Sequence, residues 1–154
     1  MRRGFGLLQA LLVIVLVSGI LVIAMKYATV SVKQTSDIYV KEAGELFMDS
    51  AVEMSLLAIS GYERNAISHC LDEVTVISSD KRFKADVNIT NYFLLKDSND
   101  STFCKGGLGY SVHDIQSDDS HGMVMLEVVV QTDPTHPKNQ GKDIRLTRRT
   151  LQRP

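Results

Sequence analysis

The stretch Met1-Arg-Arg-Gly-Phe-Gly-Leu-Leu-Gln-Ala10-Leu-Leu-Val-Ile-Val-Leu-Val-Ser-Gly-Ile20-Leu-Val-Ile-Ala-Met-Lys26 is where the architecture is written. Between Phe5 and Met25 only Gln9 and Ser18 are polar. As a helix this run is ~31 Å long, enough to cross the hydrocarbon core of a bilayer. Arg2 and Arg3 hold the near end on the cytoplasmic side, which sends the rest of the chain outward. Two other readings use the same residues. A plain anchor needs no processing, and a secretory signal would be removed near Val22-Ile23-Ala24, although the apolar run exceeds a usual signal core.

No proline occurs before Pro134, and the helical pattern continues past Lys26. Residues 27–36 are polar and β-branched, which is weaker helix material. From Tyr39 the apolar residues Ala43, Leu46, Phe47, Met54 and Leu57 recur at helical spacing, widened by Ala51 and Leu56. Charged residues mostly occupy the other faces, so 26–60 reads as an amphipathic helix with one face against a core. Gly61 is its expected stop. A continuous helix from Phe5 to about Ile59 would be ~80 Å long.

After Gly61 the period changes. A short helix or turn is expected over 62–71. Strands are expected at Glu73–Ser78, Phe83–Leu95, Tyr110–Ile115, Met123–Thr132 and Ile144–Leu151. They are separated by a turn at Ser79-Asp80-Lys81, a polar loop at 97–101, a glycine turn at Gly106, Gly107 and Gly109, and loops at 117–122 and 133–142. The valine-rich run 123–132 reads as the central strand. Strands that follow one another without long helices between them predict an antiparallel sheet. The fold class is α+β: a long N-terminal helix packed on a small antiparallel sheet, with 61–154 as a β-domain outside the cytoplasm.

Net charge is −1 and pI about 6.4, which argues against nucleic acid as a general partner. The charges are uneven. Lys138, Lys142, Arg145, Arg148, Arg149 and Arg153 crowd the end, with Asp143 alone opposing them after Asp133. This run is either a contact surface for an acidic partner or headgroup, or a solvated strand edge kept from aggregating by its charges. Cys70 and Cys104 both fall in the exported part, where an oxidising compartment favours a disulfide over two free thiols. They form no Cys-x-x-Cys motif.

A short charged leader ending at Gly4, then Phe5, then some twenty apolar residues running into an amphipathic helix and a small β-domain resembles the type IV pilin superfamily. The type II secretion pseudopilins and minor pilins look closest. The resemblance implies that 1–4 is a leader, that prepilin peptidase cuts between Gly4 and Phe5, and that the new amine of Phe5 is methylated. It implies a stem at 5–25, residence in the bacterial inner membrane before assembly, and contacts with lipid, other pilin subunits and the inner-membrane assembly platform. Residues 145–151 look like the last strand of some pseudopilins. The family pattern carries glutamate where this chain has Gln9. A buried glutamate needs a positive partner; glutamine supplies no charge, which favours a minor over a repeating subunit. Gly6, Ala10, Ser18 and Gly19 allow close helix approach.

Chemistry is otherwise sparse. His69, His113, His121 and His136 are scattered and form no metal or catalytic motif. Asp97-Ser-Asn-Asp-Ser101 starts like a calcium loop, but Thr102 and Leu108 stand where glycine and a bidentate glutamate belong, so an EF-hand is excluded. Asp118, Asp119 and Asp133 are further loop carboxylates. No cofactor and no enzymatic residue set is expected.

Overall fold

The computed structural model describes residues 5–65, 67–96, 98–105, 107–116, 122–133, 135–139 and 143–154. Residues 1–4, including Gly4, and Asp97, Gly106, Asp118, Asp119, His121 and Lys142 lie outside the described residues. The backbone is helical from Phe5 to Gly61 (α1). The chain divides into two units, Met1–Val40 and Lys41–Pro154. In the first unit the large apolar side chains from Leu7 to Met25 are all at least half exposed. Among the described residues α1 is the one helix long and apolar enough to cross a membrane.

The second unit holds the end of α1 and a five-stranded sheet. β1 is Glu73–Ile77, β2 Phe83–Leu95, β3 Ser111–Ile115, β4 Met123–Thr132 and β5 Arg145–Gln152. The hydrogen-bonded order is β1-β2-β4-β5, with β3 beside β2. β4 is central, as its valine content predicts. Its inward residues Val124, Leu126, Val128 and Val130 are buried, alternating with half-buried ones. On β2 the buried set is Phe83, Ala85, Val87 and Ile89, then Tyr92 and Leu94. That change of parity follows a register shift between Ile89 and Asn91, a bulge at which Thr90 Oγ1 donates to the Met125 carbonyl at 3.2 Å.

Two expectations are corrected. The sheet is not wholly antiparallel: β3 runs parallel to β2, pairing Asn91–Leu95 with Ser111–Ile115. A parallel return needs a crossover of a dozen or more residues, and 96–110 supplies it. The polar loop at 97–101 is largely the start of a helix, α2, Asn99–Cys104. The Ser98 hydroxyl caps it by accepting the Ser101 amide at 3.1 Å. Over 62–71 the turn, of the two expected alternatives, is what forms among the described residues: the Asn65 side chain accepts the amides of Ile67 and Ser68.

The helix face is also rotated from the one expected. Leu46 (72% exposed), Met54 and Leu57 (71%) point away from the sheet, and Tyr39 is exposed. The buried positions of the second unit's helix are Gly44, Met48, Ala51, Val52, Ser55 and Ile59, spaced at three and four residues. Large and small residues alternate on this face, and Gly44 leaves room for side chains of the sheet. A Cβ on Gly44 would lie 3.1 Å from Leu146 Cδ1 and 3.5 Å from the Phe83 ring. Ser55 is tolerated in this face because its hydroxyl donates to the Ala51 carbonyl at 2.7 Å. Phe47, at the margin, stacks on Phe83 with centroids 5.9 Å apart.

The two faces give opposite expectations for truncation. Ile59→Ala, at a position 1% exposed, is expected to destabilise the domain by about 2–5 kcal/mol. Leu57→Ala is expected to stay within about 0.5 kcal/mol of the parent. Denaturant unfolding of both variants checks this; equal losses would mean that the helix packs by its more apolar stripe.

Candidate functional site

Two regions carry the residues singled out by sequence: the exposed start of α1, and the disulfide that fastens α2. In the first unit Phe5 begins the helix and Gln9 lies on its exposed surface. Hydroxyls along this helix satisfy themselves locally. Ser18 donates to the Val15 carbonyl at 2.9 Å and Thr29 to that of Lys26 at 2.8 Å. Gln9 makes no such bond among the described residues, so its amide is the polar group in the apolar run that needs a partner from outside the helix. Gly6 and Gly19 have open space where a Cβ would stand, and Gly6 and Ala10 are four residues apart, the spacing of close helix contacts in lipid.

In the second unit Cys70 and Cys104 form the expected disulfide, with Cα atoms 4.9 Å apart and 34 residues between them in sequence. Both are buried. The bond joins the segment after α1 to the end of α2. Around it the Tyr110 hydroxyl accepts the Cys70 amide at 3.0 Å. The Tyr110 ring meets Tyr92 edge-on at 5.0 Å, and the Tyr92 hydroxyl donates to the Leu71 carbonyl at 2.7 Å. Burial pushes the Tyr92 hydroxyl well above the ordinary phenol range, so it stays a donor at any physiological pH. Gly107 is required here because a Cβ would run into the Tyr110 hydroxyl. Arg64 closes the arrangement: it donates to the Ile59 carbonyl at 2.9 Å, near the end of α1, and to Asp100 of α2 at 3.0 Å.

The other face of α2 is fastened to β3 through Asp114. Its carboxylate accepts Lys105 Nζ at 2.8 Å and Ser101 Oγ at 2.8 Å. These bonds, Lys105 first, hold Asp114 below the usual carboxylate pKa. At the far end of β2, Asn139 is fully buried. It donates to the carbonyls of Arg82 and Asp133 at 3.1 and 2.7 Å and accepts Arg82 Nε at 3.1 Å, pinning the 133–139 loop. Sequence reading missed Arg64, Tyr92, Tyr110, Asp114 and the Arg82–Asn139 pair. Each is an ordinary polar residue in a loop or strand, and only partners distant in sequence give it a role.

The remaining candidates stay separate. His69 Nδ1 lies 2.9 Å from the Phe103 carbonyl, His113 stacks on Phe93 at 5.3 Å, and His136 Nδ1 accepts the Lys138 amide at 3.3 Å. Asp133 is engaged by the amide and hydroxyl of Thr135. Among the described residues no three His, Cys, Asp or Glu side chains gather as a metal site. The basic run is divided between the two faces of β5: Arg148 turns toward α1 and pairs with Asp49, while Arg149 lies 3.3 Å from Glu127 on the outer face.

No protein-family model matches this chain, and neither curated proteins nor solved structures yield a match.

Replacing Cys70 and Cys104 by serine is expected to lower domain stability by about 3–4 kcal/mol, from the unfolded-state entropy of a loop of this length; guanidinium unfolding of the variant against the oxidised parent measures it. The lowered pKa of Asp114 means that its contribution is present above the ordinary carboxylate pKa of about 4 and is lost as pH falls through the lowered folded value. Asp114→Asn should therefore lower the unfolding midpoint at pH 7 and make little difference at pH 2. A constant deficit across that range would remove the ionic bonds as its cause.

Proposed function

We propose that this chain is a structural subunit of the type IV pilin kind, a minor one, in a bacterial type II secretion pseudopilus or pilus-type filament. One observation carries the reading: Arg2-Arg3-Gly4-Phe5 stands directly before an exposed apolar helix, and the same helix ends against a small disulfide-linked sheet. Before assembly the stem 5–25 lies in the inner membrane with its N-terminus in the cytoplasm and the β-domain in the periplasm. Prepilin peptidase removes 1–4, and the Phe5 amine is methylated. The stem then exchanges lipid for the stems of neighbouring subunits. That exchange needs packing as good as the lipid contact it replaces, and Gly6, Ala10, Ser18 and Gly19 leave room for close approach.

Gln9 supports the minor role. Its amide finds hydrogen-bond partners on a neighbouring stem, but it has no charge with which to hold an incoming subunit's amine. This suits a subunit at a tip or in an initiating complex. The chain's chemistry is then to be a substrate for the peptidase and a surface for assembly. An unprocessed, single-pass periplasmic binding module is the rival reading.

The test is the N-terminus of protein isolated from its native membranes. Processing predicts a chain starting at N-methylated Phe5, and Gly4→Leu is expected to leave the leader in place and block assembly. Intact mass and N-terminal sequencing decide. A parent chain starting at Met1, or a Gly4→Leu variant cut normally, would replace the pilin reading with the anchored module.

A further inference from the structure

β5 is an edge strand: among the described residues it pairs with β4 alone. The Thr132 amide donates to the Ile144 carbonyl at 3.0 Å, so by the alternation of an antiparallel ladder the main chain of Leu146, Arg148, Thr150 and Gln152 faces β4. The N–H and C=O groups of Arg145, Thr147, Arg149 and Leu151 then point to the open side. The register is unbroken from Val124↔Gln152 to Gln131↔Arg145, with no bulge and no proline to spoil it as a template. Beside this edge, between β5 and α1, runs a groove of about 500 Å³ lined by Asp49, Val52, Glu53, Leu56, Arg148, Thr150 and Gln152.

We propose that β5 receives an extended strand from a partner protein, one with carboxylates on alternate outward positions and small apolar residues between them. The side chains of Arg145, Thr147 and Arg149 lie on the outer face of the sheet, opposite the buried Val130, Val128 and Leu126 side. An added strand therefore sets every second side chain beside two arginines and a threonine, where acids at positions four apart are favoured. Its intervening side chains lie on the inner side, in the groove where Val52 and Leu56 stand among Asp49, Glu53 and Arg148. Main-chain pairing supplies affinity and the charge pattern supplies selection. A second copy docking its own β5 would bring arginine against arginine, which disfavours self-pairing. The inference concerns the folded domain and does not depend on processing at Gly4–Phe5.

The full chain in detergent micelles is titrated with a labelled peptide, Thr-Val-Glu-Val-Thr-Val-Glu-Val-Thr, and with a scrambled peptide of the same composition with adjacent glutamates. Saturable binding of the first, with the scrambled peptide weaker by about tenfold, is expected. Thr147→Pro removes an outward N–H without touching the β4 ladder and is expected to abolish binding. The R145Q/R149Q double variant leaves the strand intact and is expected to weaken binding about tenfold, which decides the matter should the proline variant fail to fold. No binding by the parent, equal binding of both peptides, or full binding by R145Q/R149Q would each overturn the proposal. Self-association of the parent that Thr147→Pro abolishes would make the occupant a second copy and overturn it equally.

Discussion

Burial of one face of the end of α1 against the inner face of the sheet underlies the second unit. That face alternates the large residues Met48, Val52 and Ile59 with Gly44, Ala51 and Ser55, which present little side-chain bulk. Interdigitating large and small side chains fill the space between helix and sheet, which dispersion and apolar burial reward. Phe83, Leu146 and the valines of β4 take up the volume that the small residues leave. The same helix leaves a second apolar set, Leu46, Met54 and Leu57, facing outward.

That packing does not reach the segment between α1 and β1 or the crossover between β2 and β3, which are held by other means. The disulfide, the Tyr110–Cys70 and Tyr92–Leu71 hydrogen bonds and Arg64 join them into one connected set. Polar bonds that are buried and satisfied cost little and fix one arrangement among many. The Arg82–Asn139 pair does the same for the loop before β5, and so helps set the edge to which a partner strand can be added.

Much of the fold was legible. All five strands were expected within a residue or two of where they lie, because period-two alternation and β-branched content report burial on one side of a sheet. The disulfide followed from compartment and cysteine count. The face of α1 was misread, because apolar periodicity cannot tell a face that packs on a sheet of the same chain from one left for something else. The parallel β3 was missed because α2 is only six residues long and rests on a cap at Ser98, too short to give a periodic signal. The bulge at Thr90 was hidden because one inserted residue leaves composition unchanged.

The local sequence settles the properties that depend on neighbours along the chain. These are the apolar run and its arginine flank, the helical reach of α1, the strand positions, and the presence of two cysteines able to pair. Strand order, the direction of β3, the face by which α1 packs, the partners of Arg64, Asp114 and Asn139, and the open edge at β5 depend on groups far apart in sequence. They were decided when folding brought those groups within hydrogen-bonding and van der Waals distance. These interactions fall off over a few ångströms, so no local pattern encodes them.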